Sequence, residues 1–398
     1  MRRWAGGPRS HKLVSGDEKR QAKDHVSNRP QERVVRVEVR PRPYVVAIGP
    51  GQLATLGPRL AELVKSRRVA VVTDTNVGPL YSDQATASLH SARFEPTLLT
   101  VPAGEATKSL EQVARLYDQL AEAKIDRTSS LVSLGGGVVS DLTGFVAATW
   151  LRGIPFASCS TTVEANVDAS VGGKTGVNHP SGKNMIGAFH QPLFVLIDTD
   201  TLSTLSERDY VAGLAESIKH AVVRDADFFA WHERNAGAIV ARQPEILPEL
   251  FEHNVRIKAE IVAQDERETS GLRALLNFGH TVGHAIEAAM ARRGEPWRHG
   301  EAVAVGMVAA AEMSVVSGRL DRPSVDRIVT LLERTGLPVR APLVDARDQL
   351  TTLMRADKKV SVGKIRFVLV EAIGHAVLCD DVRPSWIAAG LDRVLTTP

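Results

Sequence analysis

Leu131-Val132-Ser133-Leu134-Gly135-Gly136-Gly137-Val138-Val139-Ser140-Asp141 passes from a short apolar run through three glycines into a helical pattern. The run 130–134 has the length and character of a strand buried on both faces. Residues 138–151 continue as a helix. Glycines at the turn let the backbone come close to a pyrophosphate, because no Cβ stands in the way. The start of the helix offers free N–H groups and a partial positive charge. The spacing is not the common GxGxxG, so two readings stay open: a dinucleotide cradle and a plain strand-to-helix turn.

Outward from this unit, strands and helices alternate. Strand patterns fall at 44–48, 69–73, 97–101, 130–134 and 154–159, with one more at 195–198. Helical patterns fall at 53–64, up to 91, at 109–123 with Ser109 as cap, and at 138–151. Continuous apolar strands alternating with helices imply a parallel sheet covered on both faces. After about residue 202 helices dominate, at 207–222, 245–263, 276–291, 302–317 and 323–335, interrupted by a β pair at 366–370 and 376–378. The expected organisation is a disordered or weakly ordered extension (1–35), an α/β nucleotide-binding domain (36–200) and a mainly α-helical metal- and substrate-binding domain (201–398).

Composition narrows the class. The 398 residues are 43% hydrophobic and 24% charged, with a formal net charge of +3. That small excess does not point to nucleic acid, and much of it lies in the basic first 35 residues. That arm lacks the apolar core of a signal peptide, and Asp17, Glu18 and Asp24 count against a transit peptide. No continuous apolar run of about eighteen residues suggests a membrane span. Two cysteines, Cys159 and Cys379, form neither a disulfide framework nor a CxxC knuckle, which suits a reducing cytoplasm.

A second stretch, residues 273–301 (RALLNFGHTVGHAIEAAMARRGEPWRHGE), concentrates titratable groups. His280, His284 and Glu287 stand at i, i+4 and i+7, one face of a helix. His299 and Glu301 open the next apolar helix. Imidazoles presented across a helix pair can hold a divalent ion, most simply Zn²⁺. The bland alternative, hydrogen-bonded core histidines, fits three of them with flanking carboxylates less well than it fits one.

Two further segments carry chemistry. Residues 161–184 (TTVEANVDASVGGKTGVNHPSGKN) place Lys174 and Lys183 beside glycines, with Asp168 and Asn184 near them, which suits a phosphate or carboxylate ligand. Glu216 and Lys219 share one turn of an apolar helix, so the carboxylate needs a partner there: a metal, or simply Lys219. Asp74, Asn76, Glu105 and Lys108 follow strand ends, where ligands gather in open α/β sheets.

Taken in order, GGGVVSDLTGFVAATWLRG, VDASVGGKTGVNHPSGKNMIGAFHQP, GLAESIKH, DERETSGLRALLNFGHTVGHAIEA, HGEAVAVGM and DKKV resemble the 3-dehydroquinate synthase family from about Tyr44 to the C-terminus. The resemblance implies a homodimer that uses NAD⁺ and Zn²⁺, with Co²⁺ as a substitute, and acts on a sugar acid phosphate. It implies zinc ligands Glu216, His280 and His299. It gives NAD contacts to Asp74, Asn76, Glu105, Lys108, Gly135, Gly136, Gly137, Asp141, Thr161, Thr162 and Thr204. Lys174, Asn184, His284 and Lys358 fall to the substrate phosphate, with Arg127 supplied across the dimer. Lys258, Arg273 and Asn277 fall to the carboxylate and hydroxyls, and Asp168, Lys183 and Lys219 line the same pocket. Spacing alone would pair His280 with His284 on the metal; the resemblance assigns His284 to the phosphate.

The chemistry so implied converts 3-deoxy-arabino-heptulosonate 7-phosphate to 3-dehydroquinate. Oxidation at C5 acidifies the C6 proton, phosphate leaves, the hydride returns, and an intramolecular aldol step closes the ring. Three departures sit beside the cofactor and substrate loop. The usual Pro-Thr-Thr-Leu-Leu-Ala reads Ser160-Thr-Thr-Val-Glu-Ala, Asp-Ser-Ser reads Asp168-Ala169-Ser170, and Asn166 is unusual. They raise an aminodehydroquinate synthase of secondary metabolism as an alternative. Cyclases of sedoheptulose 7-phosphate are disfavoured because Arg273, Asn277 and Lys258 are retained for a carboxylate. A metal- and NAD-dependent polyol dehydrogenase would leave Lys174, Lys183 and Lys258 with little to do. A regulatory protein with a relic site would not keep a candidate for every role.

Overall fold

The computed structural model describes residues 32–40, 42–357 and 365–395. Strand β1 (Arg33–Val37) pairs antiparallel with β2 (Tyr44–Gly49), Val37 opposite Tyr44. A 3-10 turn (Gln52–Thr55) and α1 (Leu56–Leu63) lead to β3 (Arg68–Asp74) and α2 (Gly78–Ser91). Then come β4 (Glu95–Val101), α3 (Leu110–Glu122), β5 (Ser130–Gly135), α4 (Gly137–Thr149) and β6 (Phe156–Ser160). Ser109 caps α3 as expected, its hydroxyl accepting from the Gln112 amide at 3.3 Å. A π turn (Ala165–Ala169) and the antiparallel hairpin β7 (Lys174–His179) and β8 (Gly182–Phe189) precede β9 (Phe194–Asp198).

The main sheet runs β1-β2-β9-β6-β5-β3-β4 and is parallel from β2 to β4. Alternate residues of its strands feed separate cores: Leu131 and Ala70 on one face, Val132 and Val71 on the other. The chain steps outward from β3 to β4, then returns to lay β5 on the other side of β3. That reversal makes a topological switch point between β3 and β5, whose carboxyl ends carry the Asp74 loop and the glycine turn.

The second half comprises α5 (Glu207–Arg224), α6 (Ala226–Val240), α7 (Leu247–Gln264), a 3-10 turn (Arg273–Asn277), α8 (His280–Arg292), α9 (His299–Val316), α10 (Arg322–Arg334) and α11 (Arg347–Asp357). The hairpin β10 (Phe367–Ala372) and β11 (His375–Cys379) and a last helix, α12 (Pro384–Val394), complete it. Helix α9 is long and apolar enough by composition to cross a membrane, but 72% of that window is buried inside the protein, as a core helix would be.

Several expectations need correcting. The extension does not reach residue 35: Arg33–Val37 is an unanticipated edge strand, paired antiparallel with β2 at the margin of the otherwise parallel sheet. Its alternating Arg33-Val-Val-Arg-Val lays Val35 and Val37 into the core. The helix expected at 276–291 is broken by Gly279 in the left-handed region (φ 78°), so α8 begins at His280 and Asn277 belongs to the preceding 3-10 turn. The polar segment 174–189 is a hairpin, and α6, α11 and α12 were not anticipated. The largest core ignores the boundary expected near residue 200. Val35, Val37, Val46, Ile48, Val195 and Ile197 pack in one cluster with residues of α5, α7, α8 and α9.

Candidate active site

The residues expected to hold a dinucleotide gather at the carboxyl ends of the parallel strands. Asp74 ends β3 and its carboxylate accepts from the amides of Asn76 (2.8 Å) and Val77 (2.9 Å). Glu105 and Lys108 follow β4, Gly135–Gly137 follow β5, Thr161 and Thr162 follow β6, and Thr204 ends the 3-10 turn after β9. Lys108 reaches the helix beyond the glycine turn, its ammonium 2.5 Å from Asp141 Oδ2. Thr204 Oγ1 lies 2.5 Å from the Tyr81 hydroxyl. Three observations fit a pyrophosphate here. No side chain caps the N-terminus of α4, and a Cβ on Gly136 would stand 2.8 Å from Thr162 Cγ2. The Thr161 hydroxyl beside that turn is buried and has no hydrogen-bond partner.

The helical half supplies a second focus. Glu216 comes from α5, His280 and His284 from α8, and His299 from the start of α9. Helix α9 lies against α5 at Gly300, where a Cβ would fall 1.8 Å from the Ala212 carbonyl oxygen. That approach brings His299 to Glu216, one turn beyond Ala212. Glu216 Oε1 stands 3.7 Å from Nε2 of His280 and 3.7 Å from Nε2 of His299. The carboxylate is 1% exposed; Oε2 takes the Lys219 ammonium, while Oε1 has no hydrogen-bond partner. A buried, orphaned carboxylate oxygen facing two imidazole nitrogens fits a divalent ion of borderline softness. His284 belongs to the same cluster, since ligand nitrogens of His280, His284 and His299 lie within 4.8 Å of one another. Geometry alone therefore does not separate His284 from the metal pair.

The electrostatics are sharply divided. Burial, with the charges of Lys219, His299 and His284, pushes His280 well below its usual range, toward the neutral form that ligates metals. Burial also opposes charge on His299, but its hydrogen bond to Glu287 and the fields of Glu164, Glu216 and Glu287 outweigh it and raise His299 to about 9. Glu287 was placed by spacing on the face of His280 but given no role. Its Oε2 is 3.3 Å from His299 Nδ1, a carboxylate behind a candidate ligand, and its Oε1 takes Lys183 at 2.5 Å. The pattern i, i+4, i+7 was the available signal. Glu164, at one of the departures, is a carboxylate pushed up chiefly by burial, within the field of His299 and Glu216.

Further cations come from α7, the hairpin and the 3-10 turn before α8. Lys258 gives hydrogens to the main-chain oxygen and Oδ1 of Asp168. Burial depresses Lys258 to about 8 even though Asp168 favours its charged form. Arg273 is buried, bonded to the carbonyls of Glu266 (2.8 Å) and Gly172 (3.1 Å). Lys174 meets Glu268 at 2.5 Å. The Asn184 amide donates to Asn178 Oδ1 (2.8 Å), and Asn178 Nδ2 donates to Glu105 (2.7 Å), tying the hairpin to the loop after β4. Asn277 is exposed. Arg127 is not brought to the others: it is exposed in the turn before β5, at the opposite end of that strand from the glycines. Lys358 lies outside the described residues.

Comparison with known proteins identifies the family and the fold. Residues 98–212 match the family described as 3-dehydroquinate synthase N-terminal, and residues 213–360 match 3-dehydroquinate synthase C-terminal. A 3-dehydroquinate synthase of Symbiobacterium thermophilum is 48% identical over 354 residues, 88% of this chain and 98% of the relative. A 2-epi-5-epi-valiolone synthase from Streptomyces hygroscopicus subsp. jinggangensis, solved with NAD⁺ and Zn²⁺ bound, is 31% identical with a TM-score of 0.79, covering 87% of this chain and 95% of that one. A 2-deoxy-scyllo-inosose synthase shares the fold, with a TM-score of 0.82 at 24% identity over 91% of this chain and all of the other. On its own sequence and architecture, the chain belongs to the 3-dehydroquinate synthase family.

Proposed function

We propose that this chain is a 3-dehydroquinate synthase, releasing phosphate from 3-deoxy-arabino-heptulosonate 7-phosphate as it forms 3-dehydroquinate. The observation that carries the reading is the convergence of Glu216, His280 and His299 beside buried Lys258 and Arg273. A polyol dehydrogenase has no use for those buried cations, whereas a substrate with carboxylate and phosphate needs them. The 48% identical relative carries the 3-dehydroquinate synthase name, which supports the hydroxy substrate over the amino one.

Glu216, His280 and His299 would hold the metal, zinc or cobalt. Asp74, Asn76, Glu105, Lys108, Gly135, Gly136, Gly137, Asp141, Thr161, Thr162 and Thr204 would hold NAD. When bound, the nicotinamide supplies a reversible hydride acceptor and the metal a Lewis acid. Lys258 and Arg273 orient the substrate by its carboxylate, with Asn277 on a hydroxyl. Lys174, Asn184, His284 and Lys358 would meet the phosphate and stabilise charge as it leaves, with Asp168, Lys183 and Lys219 lining the same pocket. Glu287 holds the His299 ring through Nδ1, leaving Nε2 toward Glu216. Lys219 gives the buried Glu216 carboxylate a cationic partner at Oε2. The working form is a homodimer in which Arg127 of one subunit completes the phosphate cradle of the other. Two buried unpaired thiols, Cys159 and Cys379, suit a reducing cytoplasm.

The test is an assay of purified protein with the hydroxy and amino substrates side by side. The expected result is phosphate release from the hydroxy substrate with no net accumulation of NADH. Net NADH from glycerol without phosphate release, or preference for the amino substrate, would refute the assignment.

A further inference from the structure

A run of buried hydrogen bonds ends on His220, which lies in the field of Asp168 and Lys258, and its direction can be read. His232 Nδ1 lies 2.8 Å from the Phe228 carbonyl oxygen, which can only accept, so Nδ1 carries the hydrogen and Nε2 is an acceptor. The Ser217 hydroxyl, 2.8 Å from that Nε2, donates to it. Asn254 Nδ2 spends its two hydrogens on Ser217 Oγ (2.7 Å) and the Leu250 carbonyl (2.8 Å). Asn254 Oδ1 is left to accept from His220 Nδ1 at 3.0 Å. All four side chains are buried. Neutral His220 thus carries its hydrogen on Nδ1 and presents a bare lone pair at Nε2, and that nitrogen has no hydrogen-bond partner.

An orphaned buried acceptor destabilises the fold unless something meets it. Asn254, which holds the His220 ring, and Lys258 are one turn apart on the same face of α7, and the Lys258 charge acts on that ring. Lys258 has committed two of its three ammonium hydrogens, both to Asp168. We propose that His220 is a positioning residue for Lys258: Nε2 takes the third ammonium hydrogen through one buried water, and keeps the lysine charged and aimed at the substrate carboxylate. This rests on the carboxylate role given to Lys258 above. The charged and titratable groups around Lys258 are Asp168 from the π turn, Arg273 from the 3-10 turn, Lys219 and His220 from α5, and Asp141 from α4.

The test compares His220→Leu with His220→Gln in the full-length enzyme. Glutamine can still donate to Asn254 and accept from Lys258; leucine does neither. In His220→Leu the ammonium loses an acceptor, so the alkaline limb of kcat/KM moves to lower pH by about one unit, tenfold, the order of one hydrogen bond to a charged group. In His220→Gln the limb stays at its wild-type position. The same shift should appear in the pH midpoint at which an amine-reactive reagent labels Lys258, which needs no turnover. A folded His220→Leu enzyme that binds NAD and shows neither shift would overturn the proposal. A labelling shift in a protein that releases no phosphate would uphold the His220 contact and refute the functional reading instead. Should His220→Leu fail to fold, His220→Asn takes its place with the same expectation, its amide reaching Asn254 and its oxygen falling short of Lys258.

Discussion

The Glu287 carboxylate stands 3.3 Å from Nδ1 of His299, while its other oxygen holds the Lys183 ammonium at 2.5 Å. One side chain thus orients a candidate metal ligand and anchors a candidate pocket lysine. Glu287→Gln should weaken Zn²⁺ affinity roughly 10–100-fold, the usual cost of losing a carboxylate behind a ligating imidazole. The comparison belongs above the His299 midpoint of about 9, where proton competition no longer masks the change. Competition against a chromogenic chelator measures it, and equal affinities would remove Glu287 from the site.

His280→Ala deletes one of the two imidazoles that face Glu216 Oε1. Phosphate release should fall by roughly 10³-fold or more, as several kcal/mol of metal catalysis disappear. NAD binding, followed by calorimetry, should survive, because the dinucleotide residues lie at the strand ends and not on α8. Full turnover by the variant in metal-free buffer would defeat the metal assignment.

Lys258 titrates near 8 because burial outweighs the attraction of Asp168. Its ammonium is the form that holds a carboxylate, so activity should persist below that midpoint and be lost as pH rises through it. The expected kcat/KM falls about tenfold per unit above the limb, the slope of a single deprotonation in the free enzyme. A flat profile to pH 10 would show that charged Lys258 is not needed.

Arg127 is exposed at the far end of β5 from the glycine turn, so within one chain it cannot serve the site. If it acts across a dimer, Arg127→Ala should be impaired although its own pocket is intact. Mixing it with His280→Ala should restore roughly a quarter of wild-type activity, through random pairing in a two-fold dimer. No restoration after subunit exchange would place Arg127 outside the reaction.

The sequence was most legible where one physical rule acts alone. Apolar runs such as Ser130–Gly135 and Phe194–Asp198 became buried parallel strands, because no other element hides both faces of such a run. Ser109 capped its helix because the hydroxyl meets a local donor. Legibility failed where a distant partner decides. Val35 and Val37 enter the core only because β2 and α7 are there to receive them. Gly279 read as an interior helix residue until its left-handed backbone ended one helical turn and began another. Within the site, the Glu216–His280–His299 grouping could not come from spacing, since it depends on α9 lying against α5 at Gly300. The resemblance supplied that grouping, whereas spacing alone favoured His280 with His284, which the structure also keeps close.

Because the apolar cluster beneath β1, β2 and β9 is continuous with that of the long helices, the helical half shares its interior with strands of the first half, which would be left with that face bare. Splitting the gene near codon 200 would therefore yield two sticky fragments rather than two autonomous modules. Heating the intact enzyme should show one cooperative endotherm in place of two.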